Sequence, residues 1–156
     1  MKSLLTKVVV LGLTAMIASG APAPKEAKET KEELTKKELA KLEGTWKYVA
    51  YVNNGVEGSA DAVADLATVT YKGTKFSFSS GETGEITKID PTVSPKTIEY
   101  KLDGVPKELE IQGGIYALDG DEFKDCVSLG DKDRPKEFAA KEGSGHILAK
   151  YKRVKN

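Results

Sequence analysis

The spacing of hydrophobic positions along the chain changes close to Leu42. Before this residue, a run dense in Lys and Glu carries a thin apolar stripe that includes Leu39 and Leu42. Thr30 precedes Glu33 by three residues, which matches the capping box at a helix start. After Leu42, apolar and polar residues alternate with the period of half-buried strands. The pattern therefore predicts one helix over about residues 31–41, followed by a series of strands.

The strand segments are short, and turn residues separate them. Alternation or a short apolar run occurs at 44–52, 69–71, 75–79, 85–90, 97–102, 109–118, 123–129, 137–140 and 146–154. The pair Asp119-Gly120 is the strongest hairpin signal, and residues 59–66 are the second helical candidate. Successive hairpins favour a barrel over a sandwich. The predicted fold class is therefore all-β, an antiparallel up-and-down barrel of about eight short strands with an N-terminal helix.

The first and last strands each show one continuous face. The first strand places on one face Trp46, Tyr48, Ala50 and Val52. The last strand places on one face Ile147, Ala149, Tyr151 and Arg153. An arginine that ends an otherwise apolar face needs a partner there, because a buried guanidinium requires hydrogen-bond acceptors.

The N-terminal residues have the pattern of an export signal. Lys2 and Lys7 precede an apolar run over 8–18, and the small residues Ala18 and Gly20 favour cleavage after residue 20. The run is shorter than the roughly 20 residues that span a bilayer, so a membrane anchor is the weaker alternative. The predicted organisation is a signal peptide at 1–20, a Pro/Lys/Glu-rich tether and helix at 21–41, and a barrel domain at 42–156. We expect a secreted or periplasmic protein.

Charge and cysteine content exclude several classes of function. The 24 basic and 24 acidic residues give a formal net charge of +0, so no basic surface for nucleic acid is predicted. No membrane span is expected after signal cleavage, and we expect a monomer. Cys126 is the sole cysteine, which rules out an intrachain disulfide. A small buried hydrophobe is its commoner role, with a reactive thiol as the alternative.

Candidate catalytic and metal-ligating residues are few. His146 is the only histidine, so a site with two histidines is impossible, and Ser144 two residues before it lacks the Gly-x-Ser-x-Gly elbow. A thiol pair of Cys126 with His146 is no better supported. Five aspartates have spacings that do not match a calcium loop and are better explained by turns; they are Asp119, Asp121, Asp125, Asp131 and Asp133. We therefore predict no catalytic residue, no metal and no cofactor, and no enzyme.

Aromatic residues recur on the predicted strands. Five of them are the candidate ligand-binding residues: Tyr48, Phe76, Phe78, Tyr100 and Tyr151. On the inner face they would line an apolar site with hydroxyl groups that orient a ligand. The alternative is a packed core, since an eight-stranded barrel either fills its interior or holds one small ligand. A connected cavity of about 300 Å³ or more would favour binding.

Several motifs, taken together, resemble a known family. They are Gly44-Thr45-Trp46, the run from Gly114 to Asp121, Cys126, Arg134-Pro135, Phe138, Gly143-Ser144-Gly145 and Arg153. In order and spacing they are similar to the planctomycetal lipocalin-like domain family, small exported proteins of uncharacterised function. The resemblance implies a lipocalin-like barrel that Gly44, Trp46 and Arg153 close at one end, with the guanidinium packed across the indole. It implies no established activity.

Two functions are compatible with these observations. The first is a non-catalytic domain that binds one small apolar ligand inside the barrel. The second is a ligand-free structural or protein-interaction domain of the cell envelope, which the short strands and the scarcity of site chemistry favour. The volume of the barrel interior distinguishes them.

Overall fold

Helix α1 (Lys31–Leu42) leads directly into the first strand of a closed antiparallel barrel. The structure, a computed structural model, describes residues 28–65, 68–130 and 133–155. The predicted signal peptide at 1–20 and the first part of the tether lie outside the described residues. Both hydrogen bonds of the capping box are present at the start of α1, between Thr30 and Glu33. The predicted N-terminal helix is therefore confirmed.

The strands follow one another around the barrel in chain order. They are β1 (Gly44–Asn53), β2 (Val56–Glu57), β3 (Val69–Lys72), β4 (Lys75–Phe78), β5 (Thr83–Asp90), β6 (Lys96–Leu102), β7 (Ile111–Asp119), β8 (Glu122–Ser128) and β9 (His146–Arg153). Strand β2 pairs with the end of β1, and the other eight form a ring that closes between β1 and β9. The predicted all-β up-and-down barrel is confirmed. Two short helices complete the fold, α2 (Ala60–Asp65) and α3 (Lys107–Glu110).

The predicted inner face of β1 is correct only up to Tyr48. A β-bulge between Tyr48 and Ala50 shifts the pairing with β9, so Tyr51 pairs with Ala149. A bulge adds one residue to a strand and reverses the alternation beyond it. Tyr51 therefore takes the inward position that simple alternation assigned to Ala50.

The start of one predicted strand and the whole of another are wrong. Leu109 lies in α3, and β7 begins only at Ile111. Residues 137–140 form an irregular segment instead of a strand. This segment covers the outer wall of the barrel, where the Cys126 thiol donates to the carbonyl of Ala139.

Cys126 belongs to a small apolar cluster outside the barrel ring. Cys126, Ile115 and Ala140 are buried, although they are not part of the interior core. Burial raises the pKa of the Cys126 thiol to about 11. The prediction of a buried thiol is confirmed.

We expect Cys126 to be unreactive in the folded protein. A buried thiol with a raised pKa presents little thiolate to a reagent. Labelling by an aromatic disulfide reagent at pH 8 should be about a hundredfold slower than in the urea-unfolded chain, because it requires local opening. Equal rates in the two states would contradict the assigned burial.

Helix α1 closes one end of the barrel through a buried carboxylate. Glu38 is 5% exposed, accepts a hydrogen bond from the Tyr116 hydroxyl at 3.2 Å, and lies 3.0 Å from the Lys96 ammonium. Lys41 approaches the same carboxylate at 3.1 Å. Burial tends to raise the pKa of Glu38, but hydrogen bonds from Lys96 and Lys41 outweigh it and lower the pKa overall. These contacts attach α1 to β6 and β7.

The substitution Glu38→Gln should loosen this attachment. The amide keeps the shape but loses the charge that the two lysines neutralise, so the free energy of unfolding should fall by about 1–3 kcal/mol at pH 7. The effect should vanish as the pH falls below the lowered pKa of Glu38, since the wild-type side chain is then neutral too. Urea denaturation measures it, with Glu32→Gln on the exposed face of α1 as the control. Equal effects of both variants would contradict the role of Glu38.

Candidate functional site

The barrel encloses a cavity of about 190 Å³. The residues that line it come from seven barrel strands: Tyr48, Tyr51, Tyr71, Phe76, Phe78, Tyr100, Leu102, Gln112, Asp125, Val127, Ile147, Ala149 and Tyr151. The volume is below the roughly 300 Å³ at which drug-sized pockets begin. It exceeds the cavity of about 150 Å³ that holds benzene in an engineered protein. A ligand somewhat larger than benzene fits this space.

A single carboxyl group lies among the aromatic side chains of the cavity. Asp125 is 4% exposed and lies on β8, where it shares the inward face with Phe123 and Val127, the residues two positions before and after it. Its two oxygens accept hydrogen bonds from Tyr100 at 2.9 Å and from Tyr151 at 3.3 Å. Among the described residues, no Lys, Arg or His lines the cavity. The carboxylate therefore has hydroxyl donors but no cation to neutralise it.

Burial controls the protonation of this group. Desolvation raises the pKa of Asp125 to about 7, although the two tyrosine hydrogen bonds favour the ionised form. Burial likewise raises the pKa of Tyr48 to about 12 and the pKa values of Tyr100 and Tyr151 well above their usual range. The tyrosines thus remain neutral donors at ordinary pH, whereas Asp125 changes its charge near neutrality.

The cavity faces the end of the barrel away from α1. Tyr71, Phe76 and Tyr100 are buried around Asp125, whereas Tyr51 and Gln112 nearer the ends of β1 and β7 are half-buried. Aromatic contacts continue through the interior from Trp46 to Phe123 to Tyr151 to Tyr48, at centroid distances of 5.7, 5.0 and 4.5 Å. The half-buried residues form the mouth of the cavity, and the end beneath α1 is packed.

Trp46 and Arg153 meet at the packed end. The guanidinium carbon lies 4.1 Å from the indole centroid, and its nitrogens donate to the carbonyls of Lys41 and Glu43. The indole N–H donates to the Leu42 carbonyl at 2.7 Å. Gly44 has φ +114°, and a Cβ there would come within 2.9 Å of an Arg153 nitrogen. Glycine at this position therefore leaves room for the guanidinium to reach both carbonyls.

The structure brings together all five aromatic residues that the sequence nominated for ligand contact. They all line the cavity: Tyr48, Phe76, Phe78, Tyr100 and Tyr151. Tyr71 lines it too, and Tyr51 does so because of the bulge in β1. Asp125, which its spacing from the other aspartates had grouped with the turn carboxylates, lines the cavity as well. Its spacing of two residues from both Phe123 and Val127, which puts all three on one strand face, was the signal that it points inward.

The other residues considered for chemistry lie apart. The Ser144 hydroxyl donates to the Lys141 carbonyl at 2.6 Å and accepts from the backbone N–H of His146, so it holds a turn. The His146 ring contacts the Asp133 carbonyl. Asp121 pairs with Arg153 and Lys155 on the outside of the barrel. Within the described residues, no group of three acidic, histidine or cysteine side chains is placed to hold a metal ion.

Larger depressions lie on the outer surface. One of them has a volume of about 640 Å³ and lies between β1 and α2. Lys47, Val49, Glu57 and Lys150, which line it, are exposed. A shallow groove of this kind lacks the buried polar group that the interior cavity has, so the interior cavity is the stronger candidate site.

Comparison with known proteins identifies no relative. No family model matches the chain, and neither a curated protein nor a solved structure matches it significantly. In the part of the chain that the structure describes, no helix has the length and apolar character needed to cross a bilayer.

Proposed function

We propose that this protein is an exported, non-catalytic binding domain that holds one small, largely apolar ligand inside its barrel. The family proposed from the sequence motifs is the planctomycetal lipocalin-like domain family. The observation that carries the proposed function is the interior cavity of about 190 Å³ with a single carboxyl group among aromatic rings. Such a combination of apolar walls and one oriented polar group is typical of small-molecule sites.

The size of the cavity limits the ligand. By comparison with the roughly 150 Å³ that accommodates the six carbons of benzene, about eight non-hydrogen atoms fit without rearrangement of the walls. A long fatty acid or a drug-sized molecule does not fit. The ligand expected is therefore a small ring or a short branched chain.

The polar groups of the cavity support binding over simple packing. Burying a carboxyl group costs free energy, and apolar residues of similar size commonly replace buried charges without loss of stability. Asp125 and the tyrosines around it form a polar site that a packed core does not need. A ligand that uses these groups gives a reason for their presence.

The second candidate is a ligand-free domain of the cell envelope. The observation that favours it is the cavity volume, which is below the roughly 300 Å³ of ordinary pockets. In that case Asp125 and its tyrosines serve only to link the strands inside the barrel. The two functions differ in whether the interior is occupied in the native protein.

Native mass spectrometry of protein purified from its own source tests the proposed function. The expected result is a bound small molecule that is released on unfolding. A matched sample of Ala149→Leu, which fills part of the cavity from β9, should lose it. A clean apo mass for wild type, together with no binding of small apolar probes by calorimetry, would overturn the proposal.

A further inference from the structure

We propose that the ligand is a small amine with an aromatic or compact apolar body, whose ammonium group pairs with Asp125 while its body lies among the tyrosine and phenylalanine rings. This inference rests on the proposed function and specifies the chemical class of its ligand. It follows from the geometry of the charge inside the barrel, from the aromatic walls, and from the space beside the carboxylate.

The two buried carboxylates of the barrel differ in how their charge is balanced. Asp125 is 4% exposed and receives two tyrosine hydrogen bonds, at 2.9 Å and 3.3 Å. By contrast, the buried carboxylate Glu38 at the other end of the barrel lies within 3.1 Å of two lysines. The fold thus neutralises one buried carboxylate with its own cations and leaves the other without one among the described residues. A ligand cation can supply the missing charge.

The carboxylate of Asp125 has hydrogen-bond acceptor positions that the two tyrosines do not use. An ionised carboxylate has about four acceptor positions, and each oxygen of Asp125 uses one for a tyrosine. An ammonium group offers three donors. Because the cavity borders Asp125, an ammonium beside the carboxylate has acceptors available there. A ligand carboxylate would instead meet a like charge in a desolvated site.

Aromatic rings form much of the wall of the cavity. Phe76 packs edge-on against Tyr100 at 5.5 Å and against Phe78 at 5.7 Å, and Tyr48 lies 4.5 Å from Tyr151. Aromatic faces attract cations, more strongly where water is excluded. The same rings offer apolar contact to the body of the ligand. An aromatic or compact apolar amine uses both properties.

The charge state of Asp125 makes binding depend on pH. The groups that face it from the other strands are Tyr48 on β1, Tyr71 on β3, Phe76 on β4, Ile86 on β5, Tyr100 on β6, Gln112 on β7 and Tyr151 on β9. Of these only the tyrosines titrate, and burial raises their pKa values. Among the described residues that line the cavity, Asp125 is thus the only group that changes charge between pH 5 and 8. An amine that stays protonated should bind more tightly as the pH rises through about 7.

Isothermal titration calorimetry of the full chain tests the inference. The probes are benzylamine, cyclopentylamine and cyclohexylamine, with benzyl alcohol as the neutral match and benzoate as the anionic match to benzylamine. Phosphate buffer is used, because common amine buffers would compete. At pH 8 at least one amine should bind at least about tenfold more tightly than benzyl alcohol, and benzoate should not bind. Between pH 6.5 and 5 the affinity for the amine should fall by about tenfold per pH unit, whereas that for the alcohol should not change.

Two variants test whether the charge of Asp125 causes the preference for the amine. Asp125→Asn keeps the shape and should remove the preference for the amine over the alcohol. Asp119→Asn makes the same charge change at the exposed end of β7 and should leave the preference intact. The pH profile of the wild type makes the same distinction without a variant, should Asp125→Asn fail to fold.

The outcomes distinguish the two proposals. Binding of benzyl alcohol or benzoate as tightly as the amines, or an amine preference that survives Asp125→Asn, would overturn the amine inference and leave the binding function in place. A failure of all three amines would overturn the amine inference. A failure of every probe together with a clean apo mass of the native protein would overturn both.

Discussion

Replacing Asp125 by asparagine is expected to increase the free energy of unfolding at pH 8 by about 4 kcal/mol in the absence of ligand. The ionised carboxylate is buried, and desolvation raises its pKa from 3.8 to about 7. The unfolded chain releases this proton near pH 4, whereas the folded protein keeps it up to about pH 7. Raising the pH through this window therefore favours the unfolded state. The amide cannot ionise and avoids this cost.

Urea denaturation at several pH values measures the difference. The advantage of Asp125→Asn over wild type should be near zero at pH 4, grow by about 1.4 kcal/mol per pH unit up to about pH 7, and then stay constant. Other carboxylates affect both proteins equally, so they cancel in the difference. Asp119→Asn serves as the control and should show no such slope. A variant that is less stable than wild type at pH 8 would mean that the ionised carboxylate is well compensated in the fold.

Replacing Arg153 by alanine is expected to lower the free energy of unfolding by about 1–3 kcal/mol. The guanidinium covers the face of Trp46 at 4.1 Å and donates to the carbonyls of Lys41 and Glu43. Its removal exposes the indole and leaves two carbonyls at the end of α1 without their donors. The loss should appear in urea denaturation, and the tryptophan emission of the folded protein should shift to longer wavelength.

Two further variants identify the cause of that loss. Arg153→Lys retains the charge but cannot donate to both carbonyls and cover the ring at once, so it should keep most of the destabilisation. Asp121→Asn removes the exposed ion pairs of Asp121 with Arg153, at 3.4 Å, and with Lys155, at 2.7 Å, but leaves the ring and carbonyl contacts of Arg153 intact, so it should cost much less than Arg153→Ala. If Arg153→Lys were as stable as wild type, the packing and carbonyl contacts would have no energetic importance.

Periodicity was sufficient to predict the barrel and its aromatic interior. The last strand shows why: Ile147, Ala149 and Tyr151 alternate without interruption, and all three line the cavity. The turn-forming pair Asp119-Gly120 predicted the hairpin between β7 and β8, where Gly120 adopts φ +56°. Local signals of this kind depend only on residues that are close along the chain, so a single sequence is sufficient to recognise them.

The parts that could not be predicted depend on contacts between distant residues. The bulge in β1 follows from its pairing with β9, about a hundred residues away along the chain, and it turns Tyr51 inward. Asp125 occupies an inward position in the alternating pattern of β8, but its burial becomes clear only when Tyr100 and Tyr151 come together from other strands. Aspartate is also common in turns, and a charged residue is rarely assigned to a core.

The ionisation of Asp125, followed by carboxyl-carbon NMR with and without a small amine, tests the central claim most directly. The resonance should titrate near pH 7 in the free protein. Saturation with the tightest-binding amine should lower the midpoint by about two pH units, because an ion pair favours the charged form. A midpoint near pH 4 in the free protein, or a midpoint near pH 7 that no amine and no neutral ligand alters, would contradict a ligand site at Asp125.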